Sequence, residues 1–190
     1  NMQVRPKGGK NKYYSKEEYT LCVNGGECIK TNKVVTSIYG LKPDTDYRIT
    51  AEYAGQTCGE LEFRTDYEYV TLNVREFGAY GDGEHDDTNA IQCAIMAAPK
   101  KSRVLVPEGV YKISSVFLKD DLTLELAKGA VLSAFTDREK FPILPGQIET
   151  YDESDYYNLG SWEGNPLDMF SAIVCGINCS NVTITGEGVI

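Results

Sequence analysis

Three segments of the chain repeat one pattern: a β-forming run, a short break that ends in glycine, and a second β-forming run. They are RVLVPEGVYKI at 103–113, LTLELAKGAVLSA at 122–134 and NVTITGEGVI at 181–190. Gly109 and Gly129 are 20 residues apart, and Gly188 holds the equivalent place in the third segment. A period of roughly 20 to 30 residues with several short strands is typical of a parallel β-helix. The sequence therefore predicts the first coils of such a solenoid.

A loop rich in glycine and aspartate precedes the first repeat and leads into a short helix. The apolar residues after the loop recur at helical spacing, at Ala90, Ile91, Ala94, Ile95 and Ala98. This spacing predicts a helix over 88–98, with Asp86 or Asp87 as its N-cap and with Gly81 and Gly83 forming the turn before it. Because the first coil of a solenoid leaves an open sheet edge, we expect this helix to cap that edge and the carboxylates to be structural.

Residues 13–66 carry a different pattern, in which β-forming runs alternate with turns. The runs are YTLCV, ECIKT, KVVTSIYGL, DYRITAEYAG and GELEFRT. The segment IYGLKPDTDY at 38–47 resembles the corner of fibronectin type III domains where a tyrosine hydroxyl, here that of Tyr47, bonds back to the upstream backbone. Since a complete sandwich of that kind has about seven strands, we expect this module to be incomplete.

The six cysteines do not follow a metal-binding pattern. There is no Cys-x-x-Cys pair and His85 is the only histidine, so we expect no metal site. A hairpin loop at 24–26 would place Cys22 and Cys28 opposite each other, within reach of a disulfide, and the sequence leaves open whether that bond forms. The other cysteines are expected to be free thiols, with Cys93 buried in the helix.

The charge of the chain restricts its partners. The formal net charge is -9 and the pI is about 4.7. Nucleic acids and anionic membrane surfaces attract clustered lysine and arginine, so we expect neither as a partner. An anionic sugar polymer stays compatible with this charge if a local basic groove receives it. No run of 18 apolar residues occurs, so no membrane-spanning helix is expected.

A long segment at 136–168 interrupts the repeat. It is rich in Asp, Glu, Tyr and Pro and contains the only tryptophan. Long loops in compact domains are often functional, and aromatic rings stack on sugar faces while cations pair with carboxylates. Trp162, Glu163 and Arg138 are therefore the candidate substrate-binding residues. The alternative is that the apolar side chains of the segment, Trp162 included, only hold it against the solenoid.

Taken together, the motifs resemble a known family. They are FGAYGDGEHDDTNAIQ at 77–92, VPEGVY at 106–111, LELAKGAVL at 124–132, SWEG at 161–164 and NVTITGEG at 181–188. This ordered set is similar to the N-terminal part of glycoside hydrolase family 28, the polygalacturonases, whose bacterial exo-acting members carry a fibronectin-like module in front. Pectate-lyase-like β-helices and phage tailspikes share the first motif, so the whole set carries the resemblance.

The resemblance implies an all-β fold in which a partial fibronectin type III-like β-sandwich is followed by the first coils of a right-handed parallel β-helix with a short N-terminal capping helix. The expected boundaries are 1–66 for the first module, 67–76 for a linker and 77–190 for the pectin-lyase-like β-helix.

The resemblance also implies an activity whose catalytic residues this chain lacks. Family 28 enzymes hydrolyse α-1,4-galacturonosyl linkages of pectin with inversion, without a cofactor, through aspartates in Asn-Thr-Asp and Asp-Asp motifs near Gly-His-Gly and Arg-Ile-Lys. Asp-Asp occurs here only at 86–87, in the expected cap, and at 120–121, in an expected turn. The chain is therefore expected to be an inactive N-terminal portion of a hydrolase whose partner is pectin or oligogalacturonide.

Two other functions remain open. One is a non-catalytic carbohydrate-binding or scaffold module, and the other is a different pectin-active enzyme, a rhamnogalacturonan hydrolase or a pectate lyase. The family resemblance favours a secreted or periplasmic location. The absence of a visible signal peptide and the expected free thiols favour the cytoplasm. Endo or exo action, the uronide and the oligomeric state stay open.

Overall fold

The strands of the chain pair in two ways, antiparallel near the N-terminus and mostly parallel further on. The structure is a computed structural model that describes residues 2–3, 13–148 and 157–190. It divides into two units, Asn1–Glu68 and Tyr69–Ile190. The described residues are mainly strand and contain one α-helix.

The described residues of the N-terminal unit form six strands. They are β1 (Met2–Gln3), β2 (Tyr14–Val23), β3 (Cys28–Lys33), β4 (Val35–Thr36), β5 (Asp46–Tyr53) and β6 (Gln56–Arg64). An antiparallel sheet has the order β3-β2-β5-β6, and β1 pairs separately with β4. The alternation of β2 and β5 turns Leu21 and Ile49 into a small core with Tyr19 and Ala51.

Two local features stabilise this sheet. The hydroxyl of Tyr47 accepts a hydrogen bond of 2.8 Å from the backbone N–H of Lys42, as in a tyrosine corner. Cys22 and Cys28 lie opposite each other on β2 and β3 and form a disulfide, with their Cα atoms 4.1 Å apart. The bond that the sequence left open is thus present in the structure.

In the second unit, the residues outside 149–156 form the remaining fifteen strands, one α-helix and two short 3-10 helices. The strands of the coils are β7 (Thr71–Asn73), β8 (Asp82–Asp86), β9 (Ser102–Val106), β10 (Gly109–Ile113), β11 (Val116–Phe117), β12 (Leu122–Leu126) and β13 (Ala130–Ala134). The helix α1 is Thr88–Ala97, and the 3-10 helices are Val74–Phe77 and Arg138–Lys140.

The later strands lie in the interrupting segment and in the part of the chain that rejoins the parallel sheets. They are β14 (Ile143–Leu144), β15 (Gln147–Ile148), β16 (Tyr157–Asn158), β17 (Ser161–Trp162), β18 (Asn165–Pro166), β19 (Met169–Phe170), β20 (Val174–Cys175) and β21 (Thr183–Gly186).

The coils stack in three parallel sheets. The first has the order β21-β12-β9-β7, the second β13-β10-β8, and the third pairs β11 with β20. Leu122 lies beside Ser102 and Gly109 beside Ala130, so consecutive coils repeat at the spacing that the sequence indicated. Inward positions alternate with outward ones and stack in a buried cluster in which Val104 pairs with Leu124. This is the stacking of a parallel β-helix.

The prediction that Gly109, Gly129 and Gly188 hold equivalent places is wrong by one residue for Gly129. Gly109 pairs with Ala130, and the bridge between Val131 and Val189 brings Gly188 beside Ala130 as well. The second break is one residue longer than the first, because three residues separate β12 from β13 and two separate β9 from β10. Gly129 therefore lies just outside the strand.

Residues 67–76 do not behave as a linker throughout. The N–H of Tyr69 donates to the carbonyl of Lys101, β7 pairs with β9, and Val74 is fully buried. The second unit therefore begins at Tyr69. The expected burial of Cys93 is also wrong, since its side chain is exposed on the outer face of α1.

Removal of an inward side chain should unfold the coils at lower denaturant concentration. Leu124 is fully buried between the neighbouring coils, so Leu124→Ala is expected to lower the free energy of unfolding by about 2–5 kcal/mol through lost contacts and a cavity. Val110→Ala, on the exposed face of β10, is the matched control and should change it by less than about 1 kcal/mol. Urea unfolding measures both, and equal effects would contradict the assigned faces.

Candidate functional site

The glycine-rich loop before α1 is held by a buried carboxylate. Asp87 has no exposed surface, and its oxygens accept hydrogen bonds from the N–H groups of Tyr80 at 2.6 Å and Gly81 at 3.0 Å. Its side chain makes no cap bond to α1, although Asp87 occupies the N-cap position. Asp86 instead accepts from the N–H and hydroxyl of Thr88, at 3.0 and 2.6 Å. The two aspartates therefore divide the roles, since Asp86 binds the first turn and Asp87 fixes the loop.

An arginine closes the same loop from the other side. The guanidinium of Arg75 donates to the carbonyls of Tyr80 at 2.8 Å and Glu108 at 2.9 Å, and it lies 5.7 Å from the centre of the Tyr111 ring. The loop is thereby tied to the break between β9 and β10. Nothing in the residue pattern around Arg75 identifies this role, because its partners are backbone carbonyls.

Gly81 and Gly109 are required by close approach. A Cβ atom on Gly81 would lie 2.7 Å from Tyr111 Cζ, and one on Gly109 would lie 2.7 Å from the carbonyl oxygen of Gly81. Gly83 has more room, and its requirement is the left-handed φ of 78°. These glycines therefore allow the loop to lie against the first coil.

The tip of the loop carries the only histidine of the chain. His85 stacks on Tyr80 with ring centroids 4.1 Å apart, and its Nδ1 lies 2.7 Å from Asp82 Oδ2. The backbone N–H groups of His85 and Glu84, together with the His85 ring, hold the pKa of Asp82 well below its usual range. Asp82 is thus bonded to groups of its own loop.

The segment that interrupts the coils is built from three short antiparallel pairs. β14 pairs with β19, β15 with β16, and β17 with β18. The N–H of Gly146 donates to the side chain of Asp168 at 2.9 Å, and the N–H of Ser171 donates to the carbonyl of Pro142. The hydroxyl oxygens of Ser115 and Ser171 lie 2.5 Å apart and share a hydrogen bond where the chain rejoins the third sheet. The part of the segment at 149–156 lies outside the described residues.

The three candidate substrate-binding residues are exposed in this segment. Trp162 and Glu163 lie in the hairpin of β17 and β18, whose turn at Glu163 and Gly164 has φ values of 49° and 86°. The Trp162 side chain is 70% exposed, which leaves its ring accessible. Arg138 begins the 3-10 helix at the other end of the segment and is exposed as well.

Within the described ranges, no group of three His, Cys, Asp or Glu side chains could hold a metal ion. Nor does any described helix have the length and hydropathy needed to cross a bilayer.

Comparisons with known proteins agree with this geometry. Residues 71–130 match the family described as rhamnogalacturonase A/epimerase, pectate lyase-like. The exo-poly-alpha-D-galacturonosidase of Dickeya chrysanthemi is 32% identical over 163 residues, covering 80% of this chain and 25% of that protein. The plasmin and fibronectin-binding protein A of Streptococcus pneumoniae is 42% identical over 131 residues, covering 64% of this chain and 18% of that protein.

A solved structure extends the likeness to the fold. The family 28 exopolygalacturonase of Yersinia enterocolitica superposes with a TM-score of 0.61, covering 92% of this chain and 36% of that one. Its sequence identity is 23%, so this likeness concerns the fold alone. The resemblance to the polygalacturonase family is confirmed. The chain spans about a quarter of the length of the Dickeya enzyme and less of the Streptococcus protein.

Loss of the buried carboxylate should release the loop. Asp87→Ala leaves the N–H groups of Tyr80 and Gly81 without their acceptor, so we expect the free energy of unfolding to fall by about 2–4 kcal/mol. Asp86→Ala removes two exposed hydrogen bonds from Thr88 and an exposed ion pair with Lys140, and it should lower the free energy of unfolding by about 1 kcal/mol. Urea unfolding at neutral pH measures both variants, and the reverse order would overturn the roles assigned to the two aspartates.

Proposed function

We propose that this chain is the N-terminal portion of an exo-acting, inverting polygalacturonase-type hydrolase that cleaves α-1,4-galacturonosyl linkages of pectin. The observation that carries the proposal is the length of the alignment with the Dickeya exo-poly-alpha-D-galacturonosidase. The alignment covers 163 residues, more than either unit of this chain contains, so it includes part of both units. In this proposal the parallel coils supply the scaffold, and their long interrupting segment supplies one wall of the substrate groove.

The N-terminal unit fits a partial fibronectin type III-like β-sandwich. Support comes from the antiparallel order β3-β2-β5-β6, the separate pair of β1 and β4, and the hydrogen bond from Lys42 to the Tyr47 hydroxyl. The disulfide between Cys22 and Cys28 adds a covalent constraint to the hairpin at one end of the sheet. In this proposal the unit is a non-catalytic module.

The helix α1 fits the role of an N-terminal cap. Its inward residues Ile91 and Ile95 belong to the same buried cluster as the inward residues of the coils. Its Gln92 side chain accepts from the N–H of Phe117 at 2.7 Å and donates to the carbonyl of the same residue at 3.0 Å. Phe117 lies on β11, so this amide occupies the side of the strand that faces away from β20. A side chain thus pairs with backbone groups of a sheet edge, as a further strand would.

The chain contributes no catalytic residue in this proposal. Inverting hydrolysis uses two carboxyl groups roughly 6.5–9.5 Å apart on either side of the bond. Asp120 accepts from the N–H of Ser180 at 2.6 Å, and Asp121 from the Asn181 side chain at 2.9 Å. The Asn181 hydrogen bond, together with Lys100, lowers the pKa of Asp121. Like Asp86 and Asp87, these carboxylates are bonded to their own chain, which supports a structural role.

Removal of the Gln92 side-chain amide tests whether α1 caps the edge of the sheet at β11. Gln92→Ala leaves the N–H and carbonyl of Phe117 without a protein partner, so we expect the free energy of unfolding to fall by about 1–3 kcal/mol and the amide proton of Phe117 to exchange faster. Asn89→Ala, on the same helix, is the control. Hydrogen exchange followed by NMR gives the local readout, and unchanged protection of Phe117 would contradict the cap.

The activity is tested by assaying hydrolysis of polygalacturonate by the 190-residue chain and by the complete protein. We expect release of monogalacturonate by the complete protein and none by the chain. Alginate serves as the control polyuronide and should not be cleaved. Hydrolysis by the chain alone would contradict the structural role assigned to its carboxylates. A complete protein that is folded but inactive would contradict the proposed hydrolase activity.

The likeness to plasmin and fibronectin-binding protein A favours a second candidate, a binding module. Surface plasmon resonance with immobilised plasmin and fibronectin distinguishes the two. Saturable binding by the chain, combined with an inactive complete protein, would make the binding module the better proposal.

A further inference from the structure

Two lysines converge on one phenylalanine at the outer face of the second parallel sheet. The Nζ atom of Lys140 lies 3.9 Å from the centre of the Phe135 ring, and that of Lys112 lies 5.9 Å from it. Asp86 completes the group, with its Oδ2 atom 4.0 Å from Lys140 Nζ. We call Lys112, Phe135, Lys140 and Asp86 the Phe135 cluster.

The fold, rather than the sequence, brings this cluster together. Asp86 ends β8, and Lys112 lies beside it in the register of the second sheet. Lys112 points outward, because Tyr111 and Ile113 on either side of it are fully buried. Phe135 directly follows β13, where its N–H donates to the carbonyl of Ile113, and Lys140 closes the 3-10 helix that begins the interrupting segment.

The charges of the cluster do not balance within it. The cluster contains two ammonium groups but one carboxylate, which pairs with Lys140 alone, and its Oδ1 atom already accepts two hydrogen bonds from Thr88. Among the described residues, Lys112 makes no ion pair. In a chain with a net charge of -9, two ammonium groups that contact one aromatic ring are a local exception. Such a pair attracts an anion, because the single carboxylate of the cluster offsets only one of the two positive charges.

We propose that the Phe135 cluster binds the carboxylate of a hexuronate unit of the substrate. The choice of a uronate rests on the proposed function, and the cluster assigns the residues that read its charge. Lys112 and Lys140 pair with the carboxylate, and Ser133, beside Lys112 in the register, offers its hydroxyl to the sugar ring. Asp86 positions Lys140 and touches no substrate.

The aromatic ring makes these lysines better ligands than free surface lysines. A lysine loses side-chain entropy when it is fixed by a ligand, and contact with an aromatic face fixes part of that conformation beforehand. Phe135 is itself anchored by its backbone bond to Ile113. The cluster is therefore partly ordered before an anion arrives.

NMR titration of the chain with trigalacturonate tests the site. We expect the backbone amides of Lys112, Ser133 and Phe135 to shift with saturation, and we expect the fully methyl-esterified trimer to bind at least tenfold more weakly. Lys112→Gln and Lys140→Gln should each raise the Kd about fivefold, the factor that an exposed ion pair can contribute. Lys128→Gln removes an exposed lysine elsewhere on the same unit and should leave the Kd unchanged. Thermal unfolding checks that the variants remain folded.

The other outcomes separate this proposal from the proposed function. If trigalacturonate binds but the two variants bind it as tightly as the unaltered chain, the assignment of the site to the Phe135 cluster is wrong. The proposed hydrolase activity is not affected by that result. If acetate saturates the same amides at the same concentration, the cluster is a general anion site and the uronate assignment is wrong. If no amide of the cluster shifts, the site is overturned, while hydrolysis by the complete protein still decides the function separately.

Discussion

The buried carboxylate of Asp87 is the interaction on which the start of the solenoid depends. It accepts the N–H groups of Tyr80 and Gly81 and lies immediately before α1, so it fixes the loop and the helix to each other. Arg75 ties the same loop to the break between β9 and β10. Burial of this polar side chain is tolerated because hydrogen bonds replace its hydration. With the loop in place, Gln92 reaches the backbone of β11 and the apolar face of α1 meets the coils.

The sequence predicted the coils well because their signal is repeated. Alternating apolar residues stack on one another at a constant spacing, and Leu124 beside Val104 is the outcome. The helix was equally clear, since four of the five predicted apolar positions are buried. The register of the glycines was wrong because a break can gain one residue without changing the strands that flank it. The sequence predicts a linker at 67–76 because a three-residue strand followed by a single 3-10 turn has no periodicity to detect.

Side-chain roles were less predictable than strands, because they depend on contacts between distant residues. The two aspartates at 86 and 87 look interchangeable as helix caps, and only the direction of each side chain separates a cap from a loop clamp. Lys112 resembles any outward residue of a strand. Its relation to Lys140 exists only because the interrupting segment returns over the second sheet. Trp162 is a candidate by residue type alone, since it is the one tryptophan of the sequence and lies in a long loop.

An acidic chain can serve an acidic polymer only if attraction is local. At physiological ionic strength, charges more than about 8 Å apart are largely screened, so the net charge of -9 weakly opposes a polyuronide at any one point of the surface. Within that distance, the ammonium groups on Phe135 supply the attraction. Their attraction is screened as well, so uronate binding at the cluster should weaken as salt rises. The stacking proposed for a sugar on the exposed ring of Trp162 involves no net charge and should depend on salt far less. The salt dependence of binding therefore separates the contributions of the two proposed sites.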